Sequence, residues 1–197
     1  MTSSDEVTVH RLTPGRWNDL LSLFGPKGAY GQCWCTWWRQ RGSDYGAGCR
    51  NGGEGNRALL KQLTDGRKRP GLIAYRAGVP VGWVSVAPRP QFGRVLRSRM
   101  LGPVAADAPD ERTWSLVCFW IPRAERRKGL ASILLRSAIN EATRSGATQL
   151  EAYPVDTGGT RRASADLFTG TLGMFREAGF REVDRRSPTR PIVRLVL

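Results

Sequence analysis

The segment from Val117 to Leu135, VCFWIPRAERRKGLASILL, constrains this chain more than any other. An apolar strand, Thr113–Ile121, runs through a proline into the basic loop Arg126-Arg127-Lys128-Gly129-Leu130-Ala131. A helix follows from about Lys128 to Thr143, with Leu130, Ile133, Leu134, Ser137, Ala138 and Ile139 on its inward face. The first turn of a helix carries unpaired amides and the positive end of the helix dipole. Gly129 lets a ligand approach the backbone, the small Ala131 keeps the next turn open, and three cations flank the spot. The unit therefore reads as a phosphate cradle. Its spacing is neither that of a Walker loop nor that of a G-x-G-x-x-G fingerprint. The plain alternative is a helix start without phosphate, its arginines on a solvated face.

Around this unit the pattern predicts a succession of strands and helices in one domain, residues 1–197, with no internal repeat. Val7–Leu12 alternates as a first strand. Thr13 caps a helix with Pro14 at its first position, Trp17, Leu20, Leu21 and Phe24 at helical spacing, and Gly25-Pro26 as its stop. Residues 27–55 are rich in glycine and aromatics and give no regular period. Asn56 caps a helix through Leu63. Gly71–Tyr75 and Val81–Val86 form a hairpin about Ala77-Gly78. A link rich in proline and arginine, Pro88–Ala108, leads into the apolar strand. Thr148–Val155 reads as a strand and Leu167–Ala178 as a helix ended by Gly179. Phe180–Asp184 and Ile192–Leu197 are closing strands.

Composition bounds the function classes. The chain of 197 residues is 40% apolar and 24% charged, with seven Trp, six Phe and four Tyr, which is the make-up of a folded domain. No uncharged apolar run approaches the ~18 residues of a membrane span. The opening MTSSDEVTVHR carries acids and lacks an apolar stretch, so no secretory signal is expected. Four cysteines, Cys33, Cys35, Cys49 and Cys118, make no disulfide framework and suit a reducing cytoplasm. One C-x-C, a distant Cys49 and His10 as the one histidine do not make a zinc site, so no metal is expected. The net charge is +14, and the 31 basic residues are 27 Arg and 4 Lys. Either a G+C-rich genome or an acidic partner accounts for that excess. Pyrophosphate binding would use only two or three of these residues. Nucleic acid ranks last among partners, since no helix-turn-helix, zinc finger or RNP pattern accompanies the charge.

On the loop Arg126-x-x-Gly129-x-Ala131 the chain resembles the GNAT superfamily of acyl-CoA-dependent N-acyltransferases, whose pyrophosphate loop has the pattern R/Q-x-x-G-x-G/A. The hairpin with Gly82-Trp83, the strand Leu150–Val155 and the ending Met174-Phe175-Arg176-Glu177-Ala178-Gly179-Phe180 fall in the family's order, so the resemblance covers about residues 70–186. GQCWCTWW, AYPVD and LFTGTLGMFREAGF look like a bacterial subgroup with an aromatic CWC segment near its start. The resemblance implies an α/β (α+β) fold: a mixed, mostly antiparallel sheet of six to seven strands with helices on both faces. It implies acetyl-CoA, or another acyl-CoA, as cofactor. Arg126, Arg127, Lys128, Gly129, Leu130, Ala131 and Ser132 would hold the pyrophosphate. Phe119, Trp120 and Ile121 would lie along the pantetheine arm, with the Phe119 amide facing the thioester oxygen. The aromatic side chains of Phe119 and Trp120 read equally as core. Phe175 would be a further cofactor-binding residue.

Acyl transfer from a thioester to an amine needs a neutral amine, donors for the carbonyl oxygen and relief for the departing thiolate. Two usual residues of the family are missing. The strand position that carries a Glu base is Ser115, and the position of the Tyr acid is Phe175. Glu151 and Tyr153, which share one strand face, are the replacement candidates, with Ser115, Asp156 and Cys118 beside them. For Glu151 the alternative is a carboxylate paired with arginine; for Cys118, a buried inert thiol rather than a nucleophile. Residues 27–55 vary most in the family. Trp34, Trp37 and Trp38, with Tyr153, would wall the acceptor pocket, or else Trp34, Trp37 and Trp38 pack a satellite core. Arg39 and Arg41 either recognise an anionic acceptor or are solvated.

The leading expectation is a cytoplasmic N-acetyltransferase, a monomer or homodimer. It would move an acetyl group from acetyl-CoA to a primary amine of a small molecule or peptide by direct transfer in a ternary complex. Proximity alone contributes on the order of 7–11 kcal/mol in the best cases, so missing proton-transfer residues do not forbid it. The alternative is a non-catalytic acyl-CoA-binding or regulatory module.

Overall fold

The structure is a computed structural model that describes residues 6–66, 68–104 and 112–197. Its framework starts from the expected hairpin. Ala77 and Gly78 both take left-handed φ values, 48° and 77°, and turn β2 (Leu72–Arg76) into β3 (Val79–Pro88). Two positive φ values in a two-residue loop match the twist of the flanking strands. On one side β2 pairs with β1 (Val7–Arg11), and on the other β3 pairs with β4 (Thr113–Trp120), both antiparallel. Beyond β4 come β5 (Gln149–Ala152), β7 (Ile192–Val196) and β6 (Arg181–Asp184), giving seven strands in the order β1-β2-β3-β4-β5-β7-β6. Among the described strands, apart from one isolated parallel bridge between Val155 and Thr171, only β4 and β5 pair in parallel. The helix α5 (Leu130–Arg144) carries the chain back between them, as a parallel pair requires.

Two apolar layers hold the sheet. On one face α5 and α6 (Leu172–Glu177) bury Leu130, Leu134, Leu135, Ala138, Leu172 and Phe175. Gly82 of β3 permits this close approach, because a Cβ there would stand 3.0 Å from Leu130 and 3.1 Å from Leu134. On the other face α1 (Trp17–Phe24) buries Trp17, Leu20, Leu23 and Phe24 with Trp34 and Trp83. Together these two layers bury most of the large apolar side chains, the dominant favourable term in folding.

Several expected elements differ. Thr13 makes no side-chain cap, and Pro14–Arg16 form a short 3-10 turn ahead of α1. Residues 27–41 are a chain of turns with Ala29, Gln32, Trp34 and Cys35 at positive φ. They are followed by α2 (Gly42–Gly48) and α3 (Arg50–Asp65), the latter kinked at Asn51, Gly52 and Gly53. Asn56 is not a cap. It is buried inside α3, where its amide donates to the Gln32 carbonyl at 3.0 Å and its oxygen accepts from Gln40 at 2.8 Å. The helix expected over 167–178 shrinks to α6, because Gly170 turns the chain at φ 82°. A short α4 (Gly93–Leu96) lies in the link after β3, whose far end, 105–111, lies outside the described residues, as do residues 1–5.

Candidate active site

The parallel pairing of β4 with β5 stops at Leu116 and Ala152, while β4 runs on to Trp120. A cavity of about 760 Å³ opens beside this unpaired end. Cys118, Phe119, Trp120 and Ile121 form one wall, and Arg126 and Ala131 carry it to the start of α5. The turns around Tyr30, Cys33 and Cys35 form a second wall with Trp37, Trp38 and Tyr45, and the segment from Ser164 to Thr171 forms a third with Met174.

The start of α5 is open. Gly129 is its N-cap at φ 73°, no side chain caps the helix, and nothing lies within 4 Å of where a Cβ of Gly129 would sit. Arg126, Arg127, Lys128 and Gly129 are exposed, and Arg127 is itself left-handed at φ 63°. Arg126 is aimed by its Nε, which donates to the Ile121 carbonyl at 2.9 Å. Lys128 pairs with Glu125 at 3.1 Å, and that contact, with Arg76 beyond it, holds the Glu125 carboxyl below its usual range. The side chain of Leu130 is buried in the core, and Ser132 is half-buried. The donor set of this turn, amides plus guanidinium and ammonium groups, fits a diphosphate.

The replacement candidates for proton transfer fold elsewhere. Glu151 and Tyr153 do share a strand face with Ser115, but that face is packed against the core and none of the three lines the cavity. Glu151 is 2% exposed. Its Oε2 accepts from Arg89 Nη1 at 3.0 Å, and its Oε1 accepts from Arg194 Nη2 at 2.6 Å. The Tyr153 hydroxyl reaches Glu151 Oε2 at 3.3 Å and shares a 2.9 Å hydrogen bond with Ser115 Oγ. Burial and the negative Glu151 push the Tyr153 phenol far up, so it does not ionise. This cluster is a buried ion pair with its hydroxyls attached. Asp156 likewise is tied to Arg185 at 2.9 Å.

Two further expectations are corrected. Trp34 is 4% exposed and stacks on Trp17 at 6.4 Å, so it belongs to the core. Phe175 is fully buried between Phe119 and Phe180. Trp37 and Trp38 do line the cavity. Arg39 lies over the Phe92 ring at 4.4 Å and donates to Gln91 and the Pro70 carbonyl, and burial draws its pKa down to about 10. Arg41 is exposed beside a second hollow with Arg94 and Arg97. Cys118 borders the cavity, 3.5 Å from Cys35 between sulfurs.

Sequence reasoning missed the segment behind Gly170. Phe168 sends its carbonyl to the Phe119 amide at 2.6 Å, and Gly170 and Leu172 bond the chain after β5 through Val155. The turn segment 167–171, joined to Val155 by one bridge at Thr171, thus lies where β4 and β5 part, and it engages the amide expected to face a thioester. The glycine was the available signal: Met174, Phe175 and Phe119 all press within 3.2 Å of its absent Cβ.

An open, basic helix start thus leads into a cavity beside parted parallel strands. The sequence profile of the acetyltransferase (GNAT) family matches residues 36–174, and the chain belongs to that family. The match begins upstream of the hairpin, at Thr36, and so takes in Trp37 and Trp38 but not Tyr30, Cys33, Trp34 or Cys35. Its class is therefore acyl-CoA-dependent acyl transfer. The fold is shared with solved structures. PaiA N-acetyltransferase from Thermoplasma acidophilum, solved with coenzyme A, aligns at 11% identity over 98% of this chain and 99% of that one, with a TM-score of 0.53. Diaminobutyrate acetyltransferase EctA from Paenibacillus lautus, solved with L-2,4-diaminobutyric acid and coenzyme A, aligns at 16% over 98% and 95%, TM-score 0.52. Ribosomal-protein-alanine N-acetyltransferase from Brucella melitensis aligns at 17% over 96% and 99%, TM-score 0.53. No curated protein sequence matches the chain.

Proposed function

We propose that the protein is an N-acetyltransferase that passes an acetyl group from acetyl-CoA directly to a primary amine of a small molecule or peptide. The observation that carries this reading is the uncapped start of α5 at Gly129, opening onto the cavity along β4. In it, the amides of Gly129, Leu130 and Ala131, with Arg126, Arg127, Lys128 and Ser132, hold the diphosphate. Phe119, Trp120 and Ile121 orient the pantetheine arm by their backbones. Acetyl-CoA supplies the activated thioester. The Phe119 amide is the donor best placed for the carbonyl oxygen once the Phe168 carbonyl withdraws from it. Trp37 and Trp38 wall the acceptor side and exclude water. Proximity supplies most of the acceleration, since Glu151 and Tyr153 are engaged in the core. A reducing, cytoplasmic setting belongs to this reading, and the four free thiols suit it.

Titration calorimetry with acetyl-CoA, followed by chromatography of products from an amine panel, tests the proposal. Binding with turnover is the expected result. Binding without turnover of any amine would leave a non-catalytic acyl-CoA-binding module, and no binding would remove the loop assignment.

A further inference from the structure

The solved neighbours act on amines as different as diaminobutyrate and a ribosomal protein's alanine. The fold therefore leaves the acceptor open, and the walls of this cavity have to choose it. The acceptor side is aromatic and soft. Trp37 meets Tyr45 edge to face at 4.8 Å, Trp38 lies against Phe168 at 6.4 Å, and the thiols of Cys33, Cys35 and Cys118 stand between. Its charge is positive. The Arg94 guanidinium covers Trp37 at 3.7 Å, and Arg126 is part of the wall. Among the described residues the lining holds no carboxylate and no imidazole. Of the acids on the surrounding elements, Glu151 is held by Arg89 and Arg194, and Asp166, between the lining residues Ala165 and Leu167, is exposed and is not itself part of the lining. The Cys33 thiol is pushed up by its contact with Cys35 and by burial, the Cys35 thiol by its contact with Cys118 and by burial, and so both stay protonated.

Resting on the acyltransferase reading, we propose that the acceptor is an aromatic amine: a flat ring whose nitrogen arrives uncharged. An aliphatic amine is overwhelmingly ammonium at neutral pH. In this cavity an ammonium would lose hydration, and among the described lining residues it would find no counterion and no side-chain base to take its proton. An aromatic amine shares its lone pair with the ring and needs no deprotonation before attack. Its ring offset-stacks or meets edge-on with the indoles and phenols of the wall. In the transfer, the nitrogen lone pair forms a bond to the thioester carbonyl carbon and the carbon–sulfur bond breaks. The proton lost by nitrogen leaves with the sulfur, giving an N-aryl acetamide and the free thiol of CoA.

The test compares p-toluidine with benzylamine, isomers that each carry one ring and one primary amine and differ in nitrogen basicity. Product amide is quantified across pH, with acetyl-CoA affinity measured separately by calorimetry. At neutral pH the kcat/KM for p-toluidine is expected to exceed that for benzylamine by about tenfold or more, since only the neutral amine reacts. The p-toluidine profile should be flat from about pH 6.5 to 8.5, while that of benzylamine climbs about tenfold per pH unit. Trp37→Ala should raise KM for p-toluidine and leave acetyl-CoA affinity unchanged. Benzylamine preferred or equal at neutral pH, a flat benzylamine profile, no acetylation of p-toluidine while another amine is acetylated, or an unaltered KM in the Trp37 variant would each overturn the inference while sparing the acyltransferase reading. Failure to bind acetyl-CoA would instead bring down that reading and this one with it.

Discussion

The helix start at Gly129 and the ion cluster around Glu151 both adjoin β4, yet their polar groups are in opposite conditions. At Gly129 the backbone is left-handed, exposed and uncapped, and its cations reach into solvent. Around Glu151 each carboxylate oxygen is engaged, Arg89 is fully buried, and Tyr153 and Ser115 complete the set. Both regions concentrate residue types associated with catalysis. Only the first has donors left over for a ligand. A buried carboxylate enclosed by two guanidinium groups is a structural element whose removal would strand a charge, whereas an open helix start costs little while solvated and gains on meeting an anion.

Four experiments would break or sharpen this contrast. Glu151→Gln should have the largest effect, lowering unfolding free energy by about 3–5 kcal/mol in urea titration, because Arg89 is left buried without its counterion. Turnover per folded molecule should hold; lost turnover at unchanged stability would move Glu151 into the chemistry. Next, Gly129→Glu should weaken acetyl-CoA binding by about 100-fold or more in calorimetry, as like charges meet in a site built for anions. The melting temperature should change much less. Tyr153→Phe should cost about 1–1.5 kcal/mol of stability, leaving Ser115 and Glu151 each short of one hydrogen bond, with acetyl-CoA affinity unaltered.

The smallest effect concerns acid. The Asp156 carboxyl is held below its usual range first by the Gly158 amide and then by Arg185, and Glu182 is held down by the same Arg185. A depressed carboxylate contributes stability above its unfolded value, and that contribution is lost as pH falls through the folded value. Thermal melts should therefore show a modest loss beginning below about pH 4, and Asp156→Asn should flatten part of that slope. An unchanged slope would mean the contact contributes nothing at this exposed edge.

Local pattern carried the hairpin at Ala77-Gly78, the strand through Phe119 and the helix start at Gly129, because turn chemistry, apolar runs and helix-terminal residues act over a few neighbours. It was weaker wherever a residue had two uses. Period two placed Glu151 and Tyr153 on one face, but their partners Arg89 and Arg194 lie 62 and 43 residues away from Glu151 in the chain. Indoles three and four residues apart look alike in sequence, yet Trp34 went to the core through Trp17 and Phe24 while Trp37 and Trp38 faced the cavity. The apolar spacing after Leu167 suggested a helix that Gly170 interrupts.

The sequence by itself determined the order of elements and the phosphate-ready turn, since both arise from backbone preferences of short segments. The tertiary structure alone decided which polar groups remain open. Only packing brings Phe168 onto the Phe119 amide, shuts Glu151 between two arginines and leaves the amides at Gly129 facing outward. Whether a donor or a charge is available depends on what lies across from it, and that is set by contacts between residues far apart in the chain.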